Sequence, residues 1–570
     1  MDEVKGEIVK DNVTETGSYD KANYQSEKEL VYYIYIKPFF SYLIPYQKIR
    51  GHETKDIHEP IPPDLEGTKF NECRIYGWVA QHLPYVVFQG TIRGTRKESE
   101  IPKKSSRPMD IRKGDTIELT VERVVYGGRG LAHLNNMAIF VDKAVPGDRV
   151  IARVVRVKKN FAESRVLEVT EASPYRTTAP CPYSDYCGGC NWQFIEYEKQ
   201  LAYKQTFVED SLNRIGKATD FQIHHVLPSP QIFGYRNKME FSFSDKRWFL
   251  PEQRDKKRDD RDFALGLHIP GTFDKIIDIE GCLLQKEKGN EILREVRRYA
   301  KDSGVPVYGL RSHQGFWRYL MIRHSFAFNE WMVNVVTSEE GDPPVQGLAS
   351  VLKDGFEEIA SVVNNINTRR GGTTVGERER VLAGERNIRD RIGAFTFEIS
   401  ANSFFQTNSP LSHRLYQAVR DFASLTGKEI VVDLYCGIGT VSIYVAGQAS
   451  RIIGMDISNS AIANARRNCE LNGTDNCEFL CGDVRMLLPQ ITIHVDLLVA
   501  DPPRTGMHRK VIEQILRLLP DRIIYISCNP ATLARDIALL KERYRVEEVQ
   551  PIDLFPHTYH IESISRLERI

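Results

Sequence analysis

The chain has 570 residues, and its 77 lysine and arginine residues nearly balance its 76 aspartate and glutamate residues, giving a formal net charge of +1. A chain of this length predicts three or four domains, at roughly 100 to 200 residues per domain. The near-neutral balance excludes a protein that binds polyanions through overall basicity, so any nucleic-acid surface has to be local. The ten cysteines show no paired rhythm and no secretory signal begins the sequence, so we expect a reducing, cytoplasmic location.

The first part of the chain, residues 1–108, predicts no packed domain, and we expect a poorly ordered extension. Its most apolar run, residues 30–45 (LVYYIYIKPFFSYLIP), is shorter than the roughly 20 residues that a membrane-spanning helix needs. A linker rich in lysine, serine and proline, residues 102–108, ends this part. We therefore assign it no membrane partner, with an anchor for a membrane or a protein as the alternative.

Residues 109–170 predict a small OB-like β-barrel, because short alternating strands are separated by glycine turns. Six cations and one aromatic ring lie close together in its second half: Arg149, Arg153, Arg156, Lys158, Lys159, Arg165 and Phe161. This mixture is typical of proteins that pair with the phosphates and stack the bases of single-stranded RNA. A solvated barrel face is the alternative.

Two further domains are predicted downstream of the barrel, so the protein is multidomain. Residues 171–400 contain strand-like runs such as MEFSFS and WMVNVVT and predict an α+β central domain. From residue 401 to residue 570, apolar strands alternate regularly with amphipathic helices. That alternation predicts a doubly wound, Rossmann-like α/β domain.

A cysteine cluster falls in the central domain. Cys181, Cys187 and Cys190 form a C-x5-C-x2-C run, and Cys282 in DIEGCLLQ is available as a fourth ligand. Four thiolates enclose either a zinc ion or an iron–sulfur cluster, and the spacing alone does not separate the two. Chemistry alone favours zinc slightly, because four-cysteine zinc sites are common.

Ligand-binding motifs follow several strands of the predicted α/β sheet. Residues 431–441, VVDLYCGIGTV, are a strand with a glycine-rich turn, and Asp456, Asp483 and Asp501 end later strands. Open parallel sheets bind ligands at the carboxyl ends of their strands. Asp456 is placed to accept hydrogen bonds from ribose hydroxyls, and Asp483 is placed near an adenine. A third glycine at the dinucleotide spacing is missing, which favours S-adenosylmethionine over a dinucleotide.

A nucleophile and a base are predicted near the C-terminus. Cys528 lies on a turn between an apolar strand and a helix in IIYISCNPATLARDIALL. The positive end of that helix is expected to favour the thiolate. The tail DLFPHTYHIESISRLER offers Glu562, expected at the end of a strand, as a carboxylate that can remove a proton.

These motifs, in this order from about Ile111 to the C-terminus, resemble the S-adenosylmethionine-dependent RNA uracil-C5 methyltransferases, in particular the iron–sulfur branch that modifies 23S ribosomal RNA. The barrel resembles the TRAM domain. The resemblance implies that Cys528 adds to C6 of a uracil and that Glu562 removes the C5 proton. It implies a [4Fe–4S] cluster on the four cysteines. It also implies a set of residues that contact the methyl donor: Gln406 in ANSFFQTN, Tyr435, Thr440, Asp456, Asp483 and Asp501.

The predicted substrate is ribosomal RNA, because relatives that act on tRNA typically lack both the barrel and the cluster. A tRNA uracil-C5 methyltransferase is the alternative among enzymes. An RNA-binding protein without catalytic activity is the alternative from another class, and the joint presence of Cys528, Glu562 and Gln406 speaks against it. We expect the protein to be a monomer.

Overall fold

The computed structural model describes residues 111–253 and 261–570, together with the short strands Ile8–Val9, Tyr33–Ile34, Arg74–Trp78 and Tyr85–Gln89. The chain divides into two compact units, residues 1–106 and residues 107–570. Apart from those four strands, the expectation for residues 1–108 lies outside the described residues. No helix within the described ranges is both long enough and apolar enough to cross a membrane.

The predicted strands of the barrel are present as one six-stranded sheet in the order β1-β5-β6-β4-β3-β2. The strands are β1 (Thr116–Thr120), β2 (Arg123–Val125), β3 (Arg129–Leu134), β4 (Met137–Asp142), β5 (Arg149–Val157) and β6 (Phe161–Glu171). Buried and exposed residues alternate along the first part of β5, so Val150, Ala152 and Val154 enter a core while Arg149 and Arg153 face solvent.

The central domain contains an eight-stranded sheet in the order β9-β11-β10-β8-β12-β13-β14-β15. Its strands are β8 (Lys238–Ser244), β9 (Arg247–Trp248), β10 (Ala264–His268), β11 (Ile276–Asp278), β12 (Trp317–His324), β13 (Trp331–Thr337), β14 (Ile359–Ile366) and β15 (Arg378–Gly384). The helices α2 (Glu287–Asp302) and α3 (Asp342–Gly355) share a core with Trp331, Val333 and Val335. Met332, on the opposite face of β13, joins the core of the following domain instead. Both faces of β13 are therefore covered.

The C-terminal domain contains a second eight-stranded sheet, in the order β7-β23-β24-β22-β21-β18-β19-β20. Its strands are β7 (Gln222–Ile223), β18 (Ile430–Leu434), β19 (Arg451–Asp456), β20 (Cys477–Cys481), β21 (Leu497–Ala500), β22 (Arg522–Ser527), β23 (Tyr544–Ile552) and β24 (Glu562–Arg569). The five strands from β22 to β20 are parallel, and β24 runs antiparallel to both β22 and β23. The doubly wound α/β prediction is confirmed.

Helices and one hairpin complete this domain. The helices are α4 (Ser409–Ala423), α5 (Thr440–Val445), α6 (Asn459–Leu471), α7 (Val484–Leu487), α8 (Arg509–Leu518) and α9 (Pro530–Leu540). The hairpin of β16 (Ile388–Ile392) and β17 (Phe395–Ile399) precedes α4. Its residues Ile388 and Phe397 are buried in the same core as Leu415 of α4, so the hairpin packs on the α/β domain.

The predicted central domain, residues 171–400, has to be corrected at its start. Helix α1 (Tyr197–Ser211) buries Val208 in one core with Leu533 of α9 and Val549 of β23. Strand β7 pairs in parallel with β23 at the edge of the C-terminal sheet. An edge strand carries unpaired backbone groups that a neighbouring segment can cover. Helix α1 and strand β7, which the sequence assigned to the central domain, therefore belong to the C-terminal domain.

Candidate active site

The register of the C-terminal sheet places the predicted nucleophile and base opposite each other. Ser527, the last residue of β22, pairs with Ser563 of the antiparallel strand β24. Cys528 follows Ser527 and Glu562 precedes Ser563, so the two fall at facing positions. Facing residues of antiparallel strands have Cβ atoms about 4.5–5.5 Å apart. Glu562 begins a strand, whereas the sequence placed it at the end of one.

Burial sets the charge state of the two carboxyl groups beside Cys528. Glu562 is only 4% exposed. Burial raises the pKa of Glu562 well above its usual range, Asp501 raises it further, and Arg504 acts in the opposite direction. Burial, with a smaller contribution from Asp433, also raises the pKa of Asp501. Two acidic groups of perturbed pKa therefore adjoin the thiol, as is typical of active sites.

The helix end that was expected to favour the thiolate of Cys528 does not act alone. Burial raises the pKa of Cys528 to about 11, and the charges of Glu562 and Asp501 raise it while Arg504 lowers it. The helix end is present, since Asn529 caps α9 by accepting a hydrogen bond from Ala531. Burial makes the largest contribution to the raised pKa of Cys528, and the two nearby carboxyl groups add to it.

The loop that carries Arg504 is fastened to the turn that carries Cys528. The backbone carbonyl of Arg504 accepts a hydrogen bond from Asn529 Nδ2 at 3.0 Å and another from Thr532 Oγ1 at 3.2 Å. The guanidinium of Arg504 also acts on the pKa of Cys528 through its charge and a hydrogen bond. The ends of β21 and β22 thus form one side of a crevice.

The glycine turn after β18 lies at the same edge of the sheet. Tyr435 adopts a left-handed conformation with φ +64°, which is strained for a residue with a Cβ. Gly437 donates its N–H to Asp456 Oδ2 at 3.1 Å, and Ser458 donates to Asp456 Oδ1 at 2.8 Å. A Cβ on Gly437 would meet no heavy atom within 4 Å, so the turn borders open space that suits a ligand.

Three other residues that were predicted to contact the methyl donor already form hydrogen bonds within the protein. Asp483 caps α7 and accepts from Arg485 Nε at 2.9 Å, which lowers the pKa of Asp483 to about 2. Thr440 Oγ1 accepts a hydrogen bond from Tyr416 at 3.1 Å. Gln406 is buried, and its backbone carbonyl accepts from Asn237 Nδ2 at 2.7 Å.

Residues 555–562, FPHTYHIE, connect the catalytic edge to the cysteine segment. The backbone carbonyl of His557 accepts N–H bonds from Asn191 at 2.9 Å and Trp192 at 3.0 Å. Its imidazole stacks on Phe233 with ring centroids 4.3 Å apart. Burial lowers the pKa of both His557 and His560 to about 4, so both rings are neutral at pH 7. His557 therefore acts as a structural junction.

The four predicted metal ligands come together. Cys181, Cys187, Cys190 and Cys282 line one cavity of about 470 Å³. The cavity also reaches Thr407, next to Gln406, and the side chains of Arg236, Lys238 and Glu240.

The chemistry of this cysteine set fits a cationic metal group. Burial raises the pKa of Cys190 and of Cys282 to about 12, and the charges of the other thiols add to the effect. Bound iron or zinc would neutralise such thiolates.

Two further residues of the crevice were not among the predicted site residues. Arg504 is one of them, and its charge lowers the pKa of both Cys528 and Glu562. Tyr126 of the barrel was missed, and its phenol lies within electrostatic reach of the same two groups. No local pattern around Tyr126 signals this, because the contact depends on how the barrel packs.

The sheet order, the glycine turn and the facing thiol and carboxyl group define a Rossmann-like methyltransferase. The family model of tRNA (uracil-5-)-methyltransferases matches residues 345–487 and 486–570, and the TRAM domain model matches residues 112–167. The chain belongs to the RNA uracil-5-methyltransferase family and carries a TRAM domain ahead of its catalytic domain.

Similar proteins support this family over most of the chain. An RNA methyltransferase of Halalkalibacterium halodurans is 38% identical over 81% of this chain and 99% of its own length. One of Porphyromonas gingivalis is 42% identical over 78% of this chain and 97% of its own. The crystal structure of Pyrococcus abyssi tRNA (uracil-54, C5)-methyltransferase in complex with S-adenosyl-L-homocysteine is 28% identical. It matches with a TM-score of 0.62 over 79% of this chain and 100% of that chain.

Proposed function

We propose that the protein transfers a methyl group from S-adenosylmethionine to C5 of a specific uridine in 23S ribosomal RNA, through a covalent adduct with Cys528. One observation carries the proposal, namely that Cys528 and Glu562 face each other beside the open glycine turn. A thiol that adds and a carboxylate that removes a proton are the two groups that this substitution needs.

The reaction begins at the thiol. Cys528 gives its proton to solvent, and its sulfur forms a bond to C6 of the uracil, which moves the C5–C6 electron pair into an enolate. When bound, S-adenosylmethionine supplies an electrophilic methyl group. The enolate electron pair forms the bond from C5 to the methyl carbon as the methyl–sulfonium bond breaks, so the donor leaves as its neutral thioether and C5 carries both the methyl group and its original proton.

Glu562 completes the substitution by accepting the C5 proton. The electron pair of that C–H bond restores the C5–C6 double bond, and the C6–S bond breaks to return the Cys528 thiolate. The raised pKa of Glu562 makes its ionised carboxylate a stronger base than an exposed glutamate. Arg504 compensates charge at this site, since it lowers the pKa of both Cys528 and Glu562.

The methyl donor would lie along the carboxyl edge of the sheet. Gln406, Tyr435, Asp456 and Asp501 are its proposed contacts, and Asp456 is held in place by the N–H groups of Gly437 and Ser458. Thr440 and Asp483 remain in the proposed set. They would have to exchange their bonds to Tyr416 and Arg485 for bonds to the donor.

The cysteine cavity would hold a [4Fe–4S] cluster with a structural role. The four cysteines that line this cavity support a bound metal group, and the family resemblance favours iron–sulfur over zinc. The cluster would fasten Cys282 to the segment of Cys181–Cys190 and stabilise the surface near Gln406 and Thr407. A cytoplasmic, monomeric protein is part of the same proposal, and the nine free cysteines of the described ranges suit a reducing compartment.

Transfer RNA is the second candidate substrate, and one observation favours it. The tRNA methyltransferase of Pyrococcus abyssi matches over 79% of this chain, more than residues 171–570 alone make up. Relatives that act on tRNA therefore extend beyond the central and catalytic domains, which weakens the argument from the barrel for ribosomal RNA.

The test is methyl transfer to defined RNAs. The purified protein is incubated with labelled S-adenosylmethionine and either unmodified 23S ribosomal RNA or unmodified tRNA, and the labelled nucleotide is mapped. Label at C5 of a uridine in 23S RNA supports the proposal. Label in tRNA alone would show that tRNA, and not 23S RNA, is the substrate. Label in neither RNA would contradict the enzymatic function.

A further inference from the structure

The turn between β2 and β3 of the barrel packs against residues 555–562. The ring of Tyr126 lies edge-on to Tyr559, with centroids 5.7 Å apart, and edge-on to Phe207 of α1 at 5.8 Å. Trp192 Nε1 donates a hydrogen bond to the carbonyl of Gly128 at 3.0 Å. The barrel is thereby fastened to the segment that ends at Glu562.

The two glycines of this turn differ in their surroundings: Gly128 packs against Tyr559, and Gly127 borders open space. A Cβ on Gly128 would lie 2.9 Å from Tyr559 Cδ1, so the close approach requires glycine there. Gly127 has φ +101°, and a Cβ on it would meet no heavy atom within 4 Å. The backbone next to Tyr126 therefore borders space that a nucleic-acid strand can enter.

The hydroxyl of Tyr126 shares the electrostatic environment of the reacting groups. Burial and the neighbouring Tyr559 raise the pKa of Tyr126 to about 12, with further contributions from Cys528 and Glu562 and an opposing one from Arg504. The phenol therefore keeps its proton at pH 7 and is a hydrogen-bond donor. Hydrogen-bond donors beside a crevice for a uracil suit the oxygens of a nucleotide.

We propose that Tyr126 is a positioning residue of the active site, whose hydroxyl donates a hydrogen bond to an acceptor oxygen of the target nucleotide. The RNA-binding barrel then contributes directly to the crevice, and an RNA strand bound to the barrel is aligned with Cys528 by the same domain. This inference rests on the proposed methyl transfer to a uridine.

The test compares Tyr126→Phe with Tyr203→Phe. Tyr126→Phe removes the hydroxyl and keeps the ring that packs on Tyr559. Tyr203 belongs to the same aromatic cluster, and burial raises the pKa of Tyr203 to about 12 as well, but the neighbours that contribute to this shift are Tyr175 and Asp148 and not Cys528 or Glu562. Single-turnover methyl transfer is measured at saturating RNA, together with the Kd for RNA, the Kd for the donor and the Tm.

Tyr126→Phe is expected to slow single-turnover transfer about three- to tenfold, the factor for one lost hydrogen bond. Donor affinity and Tm should match the wild type, RNA affinity should change less than about twofold, and Tyr203→Phe should behave as wild type. Wild-type rates in Tyr126→Phe overturn the inference and leave the proposed function intact. A fall in Tm or donor affinity that accounts for the slower rate makes Tyr126 a packing residue and also overturns it. Failure of the wild-type protein to methylate any RNA overturns the proposed function itself.

Discussion

Lys204 of α1 and Asp553 form an ion pair of 2.6 Å in which both side chains are completely buried. Lys204 also donates to the backbone carbonyl of Phe555 at 3.0 Å. Burial lowers the pKa of Lys204 more than Asp553 raises it. The pair fixes the point where the chain leaves β23 and enters residues 555–562, and so bears on the position of Glu562.

Lys204→Met should destabilise the protein by about 3–5 kcal/mol, because it leaves the buried Asp553 carboxylate uncompensated. Thermal and denaturant unfolding provide the measurement. Lys204→Met combined with Asp553→Leu should recover much of the loss. Arg509→Met is the surface control, since its pair with Glu513 is exposed and should change stability by less than about 1 kcal/mol. Equal effects of the buried and surface substitutions would refute the role of the pair.

The two catalytic residues should fail in different ways. Cys528→Ala removes the thiol, so donor and RNA still bind while neither adduct nor product forms. Glu562→Gln preserves the shape and removes the base, so addition and methyl transfer proceed while elimination stops. Denaturing gels should show a shifted band that contains the transferred methyl group for Glu562→Gln alone. Normal turnover of that variant, or an adduct with Cys528→Ala, would exclude these roles.

The raised pKa of Glu562 should make stability depend on pH. In the folded protein the carboxyl group keeps its proton above its unfolded pKa, so stability falls as pH rises from about 4.5, by about 1.4 kcal/mol per pH unit, until the folded pKa is passed. Glu562→Gln has no proton to lose. It should have a higher Tm than wild type at pH 8 and a similar Tm near pH 4.5, whereas Glu542→Gln on the surface should match wild type at both. A constant difference between Glu562→Gln and wild type would contradict the burial argument.

The barrel cations should set the salt dependence of RNA binding. Arg149, Arg153, Arg156 and Lys158 are all exposed, but Arg149 has two carboxylate partners, Glu118 at 3.1 Å and Glu171 at 2.8 Å, whereas Arg156 has one, Glu163 at 3.7 Å. Replacing Arg153, Arg156 and Lys158 by glutamine should weaken binding and reduce the slope of log K against log salt by about 0.7 per lost phosphate contact. Arg149→Gln should change the RNA affinity and the salt slope less than the triple substitution does. An unchanged slope in the triple variant would leave this face as a solvated surface.

The cysteine cavity should contain iron and sulfide. Anaerobically purified protein is expected to be brown, with broad absorbance near about 400 nm. Cys282→Ser should reduce the iron content, while Cys481→Ser, at an exposed cysteine outside the cavity, should not. Stoichiometric zinc with neither iron nor sulfide would refute the proposed cluster.

Sequence motifs predicted which residues form the candidate active site better than they predicted the surroundings of those residues. Cys528 and Glu562 each belong to a recognisable local pattern, and the four cysteines were predicted as one set. Their facing register depends on the insertion of β24 between β22 and β23, which no local pattern specifies. The helix end beside Cys528 could be recognised from the sequence, whereas the burial of the thiol next to Glu562 and Asp501, which raises the pKa of Cys528, could not.

The domain boundaries show the same limit. Nothing in the sequence of α1 identifies the sheet that the helix covers, so the predicted boundary at residue 171 placed Val208 in the central domain. Tyr126 was missed for a related reason. Its turn carries the glycines expected of a barrel, and only the packing of the barrel on Tyr559 brings its hydroxyl to the crevice.

The position of β24 also links the order of strands along the chain to the order in which the sheet can form. Strand β24 follows β23 in the sequence but lies between β22 and β23, so these two strands have no partner on that side until β24 is in place. The segment after Cys190 depends on the same part of the chain, because Asn191 and Trp192 donate hydrogen bonds to the carbonyl of His557. Completion of this domain therefore needs contacts between residues that are far apart in sequence, and such topologies fold slowly.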